Sequence, residues 1–384
     1  MRVSELHLTP VSVPFDRDEL WSYGRRSGIS NVLVQVVTDE GVTGVGEAVG
    51  WPSPEVALAV LEDARPVVLG RDPFRIGDVM RVLYDRRGWH YFRHTAGCAL
   101  GGLEMALWDA VAKACGLPLH SLFGGAIRER VTYYWHVPAG DAPSMVAAAR
   151  SGVESGYNTL YVKVGFEQGG TVREVRAVRD AVGPGPRIRV DANEAWTVAE
   201  ARAAVREMEG LGLEFVEQPV NMYDHDALAE VSDGSSVPIA ANQTTWDEYA
   251  TLYVLKRGIA AVVVTDPHQA GGLARFKQLC AIAEIAGVPV VKHSFGDLGI
   301  STYACAHVLS SCANCGLAHQ THCQLLHDDV IVGGVPRHKG GALELPEAPG
   351  IGVELDPDRV DRYSRLYAGG TVFSAYEAPK EQPV

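Results

Sequence analysis

The 384-residue sequence predicts an α/β protein, a closed (β/α)8-type barrel behind an N-terminal α+β unit, and three observations carry that prediction. From about residue 130 a short apolar strand, a loop and an amphipathic helix recur many times over, and strands that alternate with helices pair in parallel. Eight candidate strands fall in one run, enough to close a barrel rather than leave an open sheet. Nearly every one ends on a polar or ionisable residue, as strands sharing one rim around a pocket would.

Residues 2–49 alternate as strands in RVSELHLTPVSV and NVLVQVVTDEGVTGVGEAV, with Asp39-Glu40-Gly41 as a hairpin turn. The glycines of GVTGVGEAVG imitate a dinucleotide loop, but no helix follows them directly, so that reading fails. Helices are predicted near 53–69, 72–86 and 94–116, the last stopped by Gly116. The barrel strands are expected at 131–137, 159–165, 187–193, 213–219, 238–243, 260–267, 288–295 and 316–323. This divides the chain into an α+β unit at 1–125 and a barrel at 126–345, with the segment from about 346 to 384 packing back on the first unit.

Thirty-four Lys and Arg stand against 47 Asp and Glu, a net charge of −13, which repels polyanions and argues against nucleic-acid binding. No stretch approaches the roughly 20 apolar residues of a membrane span. The N-terminus alternates like a strand where a signal peptide would carry an apolar block, and seven cysteines make no disulfide framework, so a cytoplasmic protein is expected. Cys312, Cys315 and Cys323, with His319 and His322, imitate a zinc site. A helix end, turn and strand there would send these side chains to opposite faces, so buried thiols are the expectation. Cys305 reads as core.

The strand-end residues Lys163, Asp191, Glu217, Gln243, Asp266 and His293 follow one another at steps of 23 to 28 residues, in phase with the βα unit, so they form one ring. Asp191, Glu217 and the amide oxygen of Gln243 offer three oxygen ligands from neighbouring strands to a hard divalent ion, Mg2+. The equal 26-residue steps favour Gln243 over its neighbour Asn242, since strand neighbours point to opposite faces. Lys163 and His293 flank these ligands as potential bases. A nearby cation would favour the neutral amine of Lys163, and Asp266 would fix the tautomer of His293. Such a set suits removal of a proton α to a carboxylate while the ion absorbs the enediolate charge. Tyr161, Asn193, His136 and His322, at or beside strand ends, are candidates for substrate contact.

Over almost its whole length the chain resembles the enolase superfamily, nearest the mandelate racemase subgroup. LEMALWDAVAKACGLPLHSLFGG resembles that family's capping-domain helix and its exit into a modified TIM barrel, and YVKVG, VDANEAW, FVEQP, TDPHQAGG and KHSF follow in the family's order. The resemblance implies that Lys163 is the second-strand base, that Asp191 and Glu217 bind metal, and that Asp266 and His293 form the His-Asp dyad. It also implies that DRDELWSYGRRSG closes over the site, with Arg25 and Arg26 reading the distal substrate. Three departures stand out: Tyr161 where a second lysine is frequent, Asn242 or Gln243 where the third ligand is usually acidic, and no glutamate in AHQTHC on the eighth strand.

The expected activity is a Mg2+-dependent β-elimination on a sugar acid giving a 2-keto-3-deoxy acid, or ring opening of its lactone or anhydro form. The alternatives are a racemase or epimerase, and an inactive barrel serving as a binding protein, suggested by the missing acidic ligand. A homo-oligomer acting on a small-molecule carboxylate is expected.

Overall fold

The structure is a computed structural model and describes residues 1–87, 93–166 and 171–373. The N-terminal unit is an antiparallel meander of β1 (Val3–Trp21), β2 (Gly24–Thr38) and β3 (Thr43–Ala48). Both faces of this sheet are covered. Val32, Val34 and Val36 pack with Leu61 and Leu100 of the helices Pro54–Val68 and Arg93–Cys115, while Ile29, Leu33 and Val45 join a second core with Leu298 and Ile300 from the barrel. Strand alternation sorts the two sets, which is why the sequence of β2 reads as nearly continuous apolar. The glycines of GVTGVGEAVG serve this packing: a Cβ on Gly44 or Gly46 would lie 2.1 Å from the Ala106 or Gly102 carbonyl oxygen of the long helix. The helices begin and end within a few residues of their predicted bounds, Ile76–Arg87 being preceded by a 3-10 turn.

Seven parallel strands form the barrel sheet: β5 (Trp135–Val137), β6 (Thr159–Lys163), β7 (Arg187–Asp191), β8 (Leu213–Glu217), β9 (Ile239–Ala241), β10 (Val262–Thr265) and β11 (Val290–Lys292), in spatial as well as chain order. Two expectations change here. The predicted strand 131–137 is split, since β4 (Arg130–Thr132) turns away to pair antiparallel with β12 (Ala342–Glu344). The predicted eighth strand does not form a regular ladder. Its His319 bonds through backbone to Thr132 and Tyr134, and Gln320 N donates to Lys292 O, so the segment bridges β11 to the first strand and completes the ring. The irregularity has a cause: Lys292 N donates to the His319 ring at 3.0 Å, a side chain standing where a backbone carbonyl would.

Two acids of the N-terminal unit finish helices of the barrel. Glu47, on β3, accepts from Leu298 N at 2.8 Å and Ser301 N at 3.0 Å at the start of helix Gly299–Ser310. Glu104, in the long helix, accepts from Leu273 N and Ala274 N at the start of helix Leu273–Ile285, whose own N-cap is Gly272 and has no side chain to offer. Farther along, helix Pro357–Ala368 packs on β1, and Phe373 N donates to Ser30 Oγ at 2.9 Å. The last part of the predicted return segment, 374–384, lies outside the described residues. No helix of the described residues is long and apolar enough to cross a membrane.

Candidate active site

The ladders set the rim. Lys163, Asp191 and Glu217 are mutual register partners at the ends of β6, β7 and β8. Immediately after them the backbone leaves the sheet through left-handed turns at Asn193, Glu194 and Gln218, with φ of +41°, +64° and +36°. Non-glycine residues there cost about 1–3 kcal/mol each and cluster where a site needs a fixed shape. The turn places Asn193 back over Lys163.

Three carboxylates are buried at this rim, and each is met by a donor that lines the cleft. Lys163 Nζ donates to Asp191 Oδ2 and Asn193 Oδ1, both at 2.7 Å, and the Tyr161 hydroxyl donates to the same Asp191 oxygen. Gln320 Nε2 spans both oxygens of Glu217 at 3.0 Å. His293 Nδ1 lies 3.2 Å from Asp266 Oδ2, while Asp266 Oδ1 accepts from His268 N and Gln269 N at 2.7 and 2.9 Å as the cap of a short helix. Burial, and then the charge of Asp191, pushes the Glu217 carboxyl well up. Burial alone would raise Asp266 too, but the His293 bond and the neighbouring histidines hold it below its ordinary value. His293 is pushed down by burial, which Asp266 opposes in part. Burial thus favours the neutral imidazole, with Nδ1 committed to Asp266.

Asn242 and Gln243 both line the cleft, which changes the basis of the third-ligand expectation. β9 ends at Ala241 and a 3-10 turn starts at Gln243, so strict alternation no longer separates the two side chains. The ladder pairs Glu217 with Ala240, whose face Asn242 shares, so the equal 26-residue step is not the register. Asn242 Nδ2 is bound to Val264 O, and the buried Oε1 of Gln243 has no hydrogen-bond partner among the described residues. Two buried carboxylates in register, one of them burdened by the charge of the other, beside an unpaired carboxamide oxygen, make a donor set that fits a hard divalent cation.

The cleft, of about 330 Å³, has walls of Trp21, Trp51, Tyr134, Tyr161, Trp246 and Phe295. Its cover is not a loop but the outer part of the β1–β2 hairpin, set off from the rest by a register irregularity between Pro14 and Glu19. Ser22 Oγ ties the hairpin tip to Asn193 O at 3.0 Å. Of the expected substrate contacts, Tyr161, Asn193 and His322 reach the cleft, and Arg25 and His136 do not. Arg25 turns outward to Asp18 at 2.9 Å, because alternation in the hairpin sends Arg26 inward instead. Arg26 donates to Glu19 Oε2, to Phe295 O, and contacts His322 Nε2 at 2.7 Å. His136 is buried beside the Tyr161 ring, off the cleft, where burial pushes its pKa down to about 3. Glu19, Trp21 and Gln320 escaped the sequence reading. The first two share hairpin parity with each other, and Gln320 stands on the eighth-strand segment where a glutamate was sought.

A barrel whose strand ends converge on a lysine, a carboxylate pair and a His-Asp dyad, under a hairpin from a second unit, defines a class of metal-assisted proton-transfer enzymes. Residues 144–359 match the family described as enolase C-terminal domain-like, and residues 9–124 match the mandelate racemase / muconate lactonizing enzyme N-terminal domain. The chain belongs to the enolase superfamily, mandelate racemase subgroup, and is an enzyme of its lyase and isomerase kind. It is 28% identical to L-Ala-D/L-Glu epimerase of Bacillus subtilis, over 92% of this chain and 97% of that one. It is 31% identical to a probable glucarate dehydratase of Streptomyces coelicolor, over 94% and 90%. An enolase from Thermobispora bispora, solved with magnesium and formate, superposes with a TM-score of 0.88 at 28% identity, over 98% and 96%. Members of the superfamily are Mg2+-dependent.

Proposed function

We propose that the protein removes the proton α to the carboxylate of a sugar acid and expels a β-oxygen substituent, giving a 2-keto-3-deoxy acid. If that oxygen belongs to a lactone or anhydro ring, the same step opens the ring. The observation that carries this reading is the placement of Lys163 and His293 on one cleft, from strands on either side of the carboxylate-bearing β7 and β8. Asp191, Glu217 and a carboxamide oxygen from the Asn242–Gln243 pair would hold Mg2+, which when bound supplies the positive charge that an enediolate needs. Lys163 or His293 takes the α-proton, according to the face the substrate presents. Where His293 takes the α-proton it passes that proton on to the departing oxygen, and where Lys163 takes it His293 delivers one acquired from solvent at its free nitrogen; the C–O bond breaks as water or a ring alcohol leaves, and the enol that remains tautomerises to the keto acid. Asn193 and Tyr161 position Lys163 and Asp191; Arg26 and His322 face the distal end of the substrate. The aromatic walls suit the C–H faces of a carbohydrate chain or lactone ring.

A second reading, racemisation or epimerisation, is favoured by the same pair of bases, since a proton taken on one face can be returned on the other. Cysteine usage without a disulfide framework suits a reducing compartment such as the cytoplasm, and we further infer a homo-oligomer with a cap at 1–125 and a barrel at 126–345. Acid sugars and their lactones, incubated with the protein and Mg2+ in D2O, separate the readings. Keto acid formation supports elimination, and α-deuterated substrate or epimer without keto acid supports the second reading. No change in any substrate would sink both. His293→Asn should abolish turnover of whichever substrate is found while leaving the circular dichroism spectrum unchanged.

A further inference from the structure

Away from the cleft, Cys280 on helix Leu273–Ile285 and Cys312 and Cys315 in the turn after helix Gly299–Ser310 bring three buried sulfurs within 4.8 Å of one another. The set differs from the one the sequence suggests. Cys323 lies beside Thr302 Oγ1 at 3.6 Å, the His319 ring faces Lys292 N and Cys315 O, and His322 belongs to the cleft. The third thiol comes from the preceding helix, which no linear spacing reveals.

We propose that Cys280, Cys312 and Cys315 form a structural site for a thiophilic divalent ion, Zn2+, held as thiolates. Tetrahedral zinc with Zn–S bonds of about 2.3 Å sets its sulfurs roughly 3.8 Å apart, and Cys280 Sγ and Cys315 Sγ already stand 3.6 Å apart. Asn314 donates through Nδ2 to Cys280 O and Val288 O, which turns its oxygen to the cluster, 3.9 Å from Cys315 Sγ, so a neutral oxygen, this one or a water, completes the shell. Three thiolates and Zn2+ leave one negative charge, and two cations flank it. Lys277 Nζ binds Ser311 O and Oγ, and Arg128 binds the Cys312 and Ala313 carbonyls. Among the described residues neither cation pairs with a carboxylate, so their charge is available to thiolates.

The location fits a structural role. Val290 N, at the start of β11, donates to Asn314 O, which places the turn at the end of the barrel away from the cleft. There the ion would tie two successive βα units together where residues bear on stability rather than chemistry. The two metal sites sort their ions by softness: sulfur below takes zinc, oxygen above takes magnesium.

Cobalt(II) is the probe. Titrated into the fully reduced, metal-stripped protein, it should give a near-ultraviolet thiolate-to-cobalt charge-transfer band that saturates at one equivalent and is displaced by Zn2+. The oxygen ligands of the cleft cannot produce this band. Cys280→Ser and Cys312→Ser should each remove it or weaken Co2+ binding at least about tenfold, whereas Cys323→Ser should keep it. Zn2+ should raise the melting temperature of the parent protein and of Cys323→Ser but not of the other two. No charge-transfer band in the reduced parent protein overturns the proposal whatever the variants do. So does a band that survives both cluster substitutions, or a Cys280–Cys315 disulfide in protein purified under anaerobic reducing conditions.

Discussion

Asp191, Glu217 and Asp266 are buried carboxylates, and the donors that meet them, Lys163 with Tyr161, Gln320 and His293, all line the cleft. Each carboxylate is thus shielded from water and presented through a group that can exchange protons or step aside. In the ligand set proposed above, two carboxylates and an amide would just balance a divalent charge. Gln243→Glu or Asn242→Asp should tighten Mg2+ by at least about tenfold, and calorimetry on the two variants identifies the ligand, since only the residue that touches the ion responds. For the dyad, burial sets His293 below the ordinary imidazole value of about 6.5. The acidic limb of kcat/KM should therefore fall below that value. Asp266→Asn removes the one charge that raises His293, so the limb should move further toward acid and the plateau drop about 10²–10⁴-fold, while the amide oxygen can still cap the short helix. A limb that stayed in place would show that Asp266 does not act on His293. The strand-end ring was legible in the sequence because the chain polarity of a parallel barrel fixes which end is functional. Arg25 and His136 were misplaced because hairpin parity beyond an irregularity, and depth behind an aromatic ring, leave no mark in a linear pattern.

At the scale of elements, β3 and the long helix Arg93–Cys115 approach so closely that only glycine fits at two alternate positions of the strand. Gly44→Ala would drive its methyl into the Ala106 carbonyl, and backbone cannot yield as a side chain does. A loss of more than about 2 kcal/mol is expected, read as a lowered denaturation midpoint, against little change for Gly185→Ser, an exposed position with no positive φ and open space around it. The glycines that imitate a nucleotide loop owe their place to helix contact, which could not be read from the sequence. The bounds of the N-terminal helices were legible from apolar periodicity and from the stop signal at Gly116. The eighth strand was not, since a histidine ring that substitutes for a ladder carbonyl looks like any other histidine in a sequence.

Across the whole molecule, Glu104 joins the two units through a carboxylate whose pKa burial pushes up to about 7. A raised carboxyl binds its proton more tightly in the folded state. Its contribution is therefore fully present below the unfolded value of about 4.3 and is lost as pH rises to about 7, on the order of 3 kcal/mol in all. Glu104→Gln keeps an acceptor for Leu273 N and should flatten the melting temperature across that window; an unaltered slope would place the dependence elsewhere.

Glu47 and Glu104 have a consequence for inheritance. Because the helices at Leu273 and Gly299 take their caps from another part of the chain, the barrel is not a self-sufficient module that a recombination event could transplant. A barrel given a foreign cap would keep every catalytic side chain and still begin two of its helices on unsatisfied amides. Variation in such a protein should therefore be freer at the exposed hairpin tip than along the seam between the two halves, which descends as one unit.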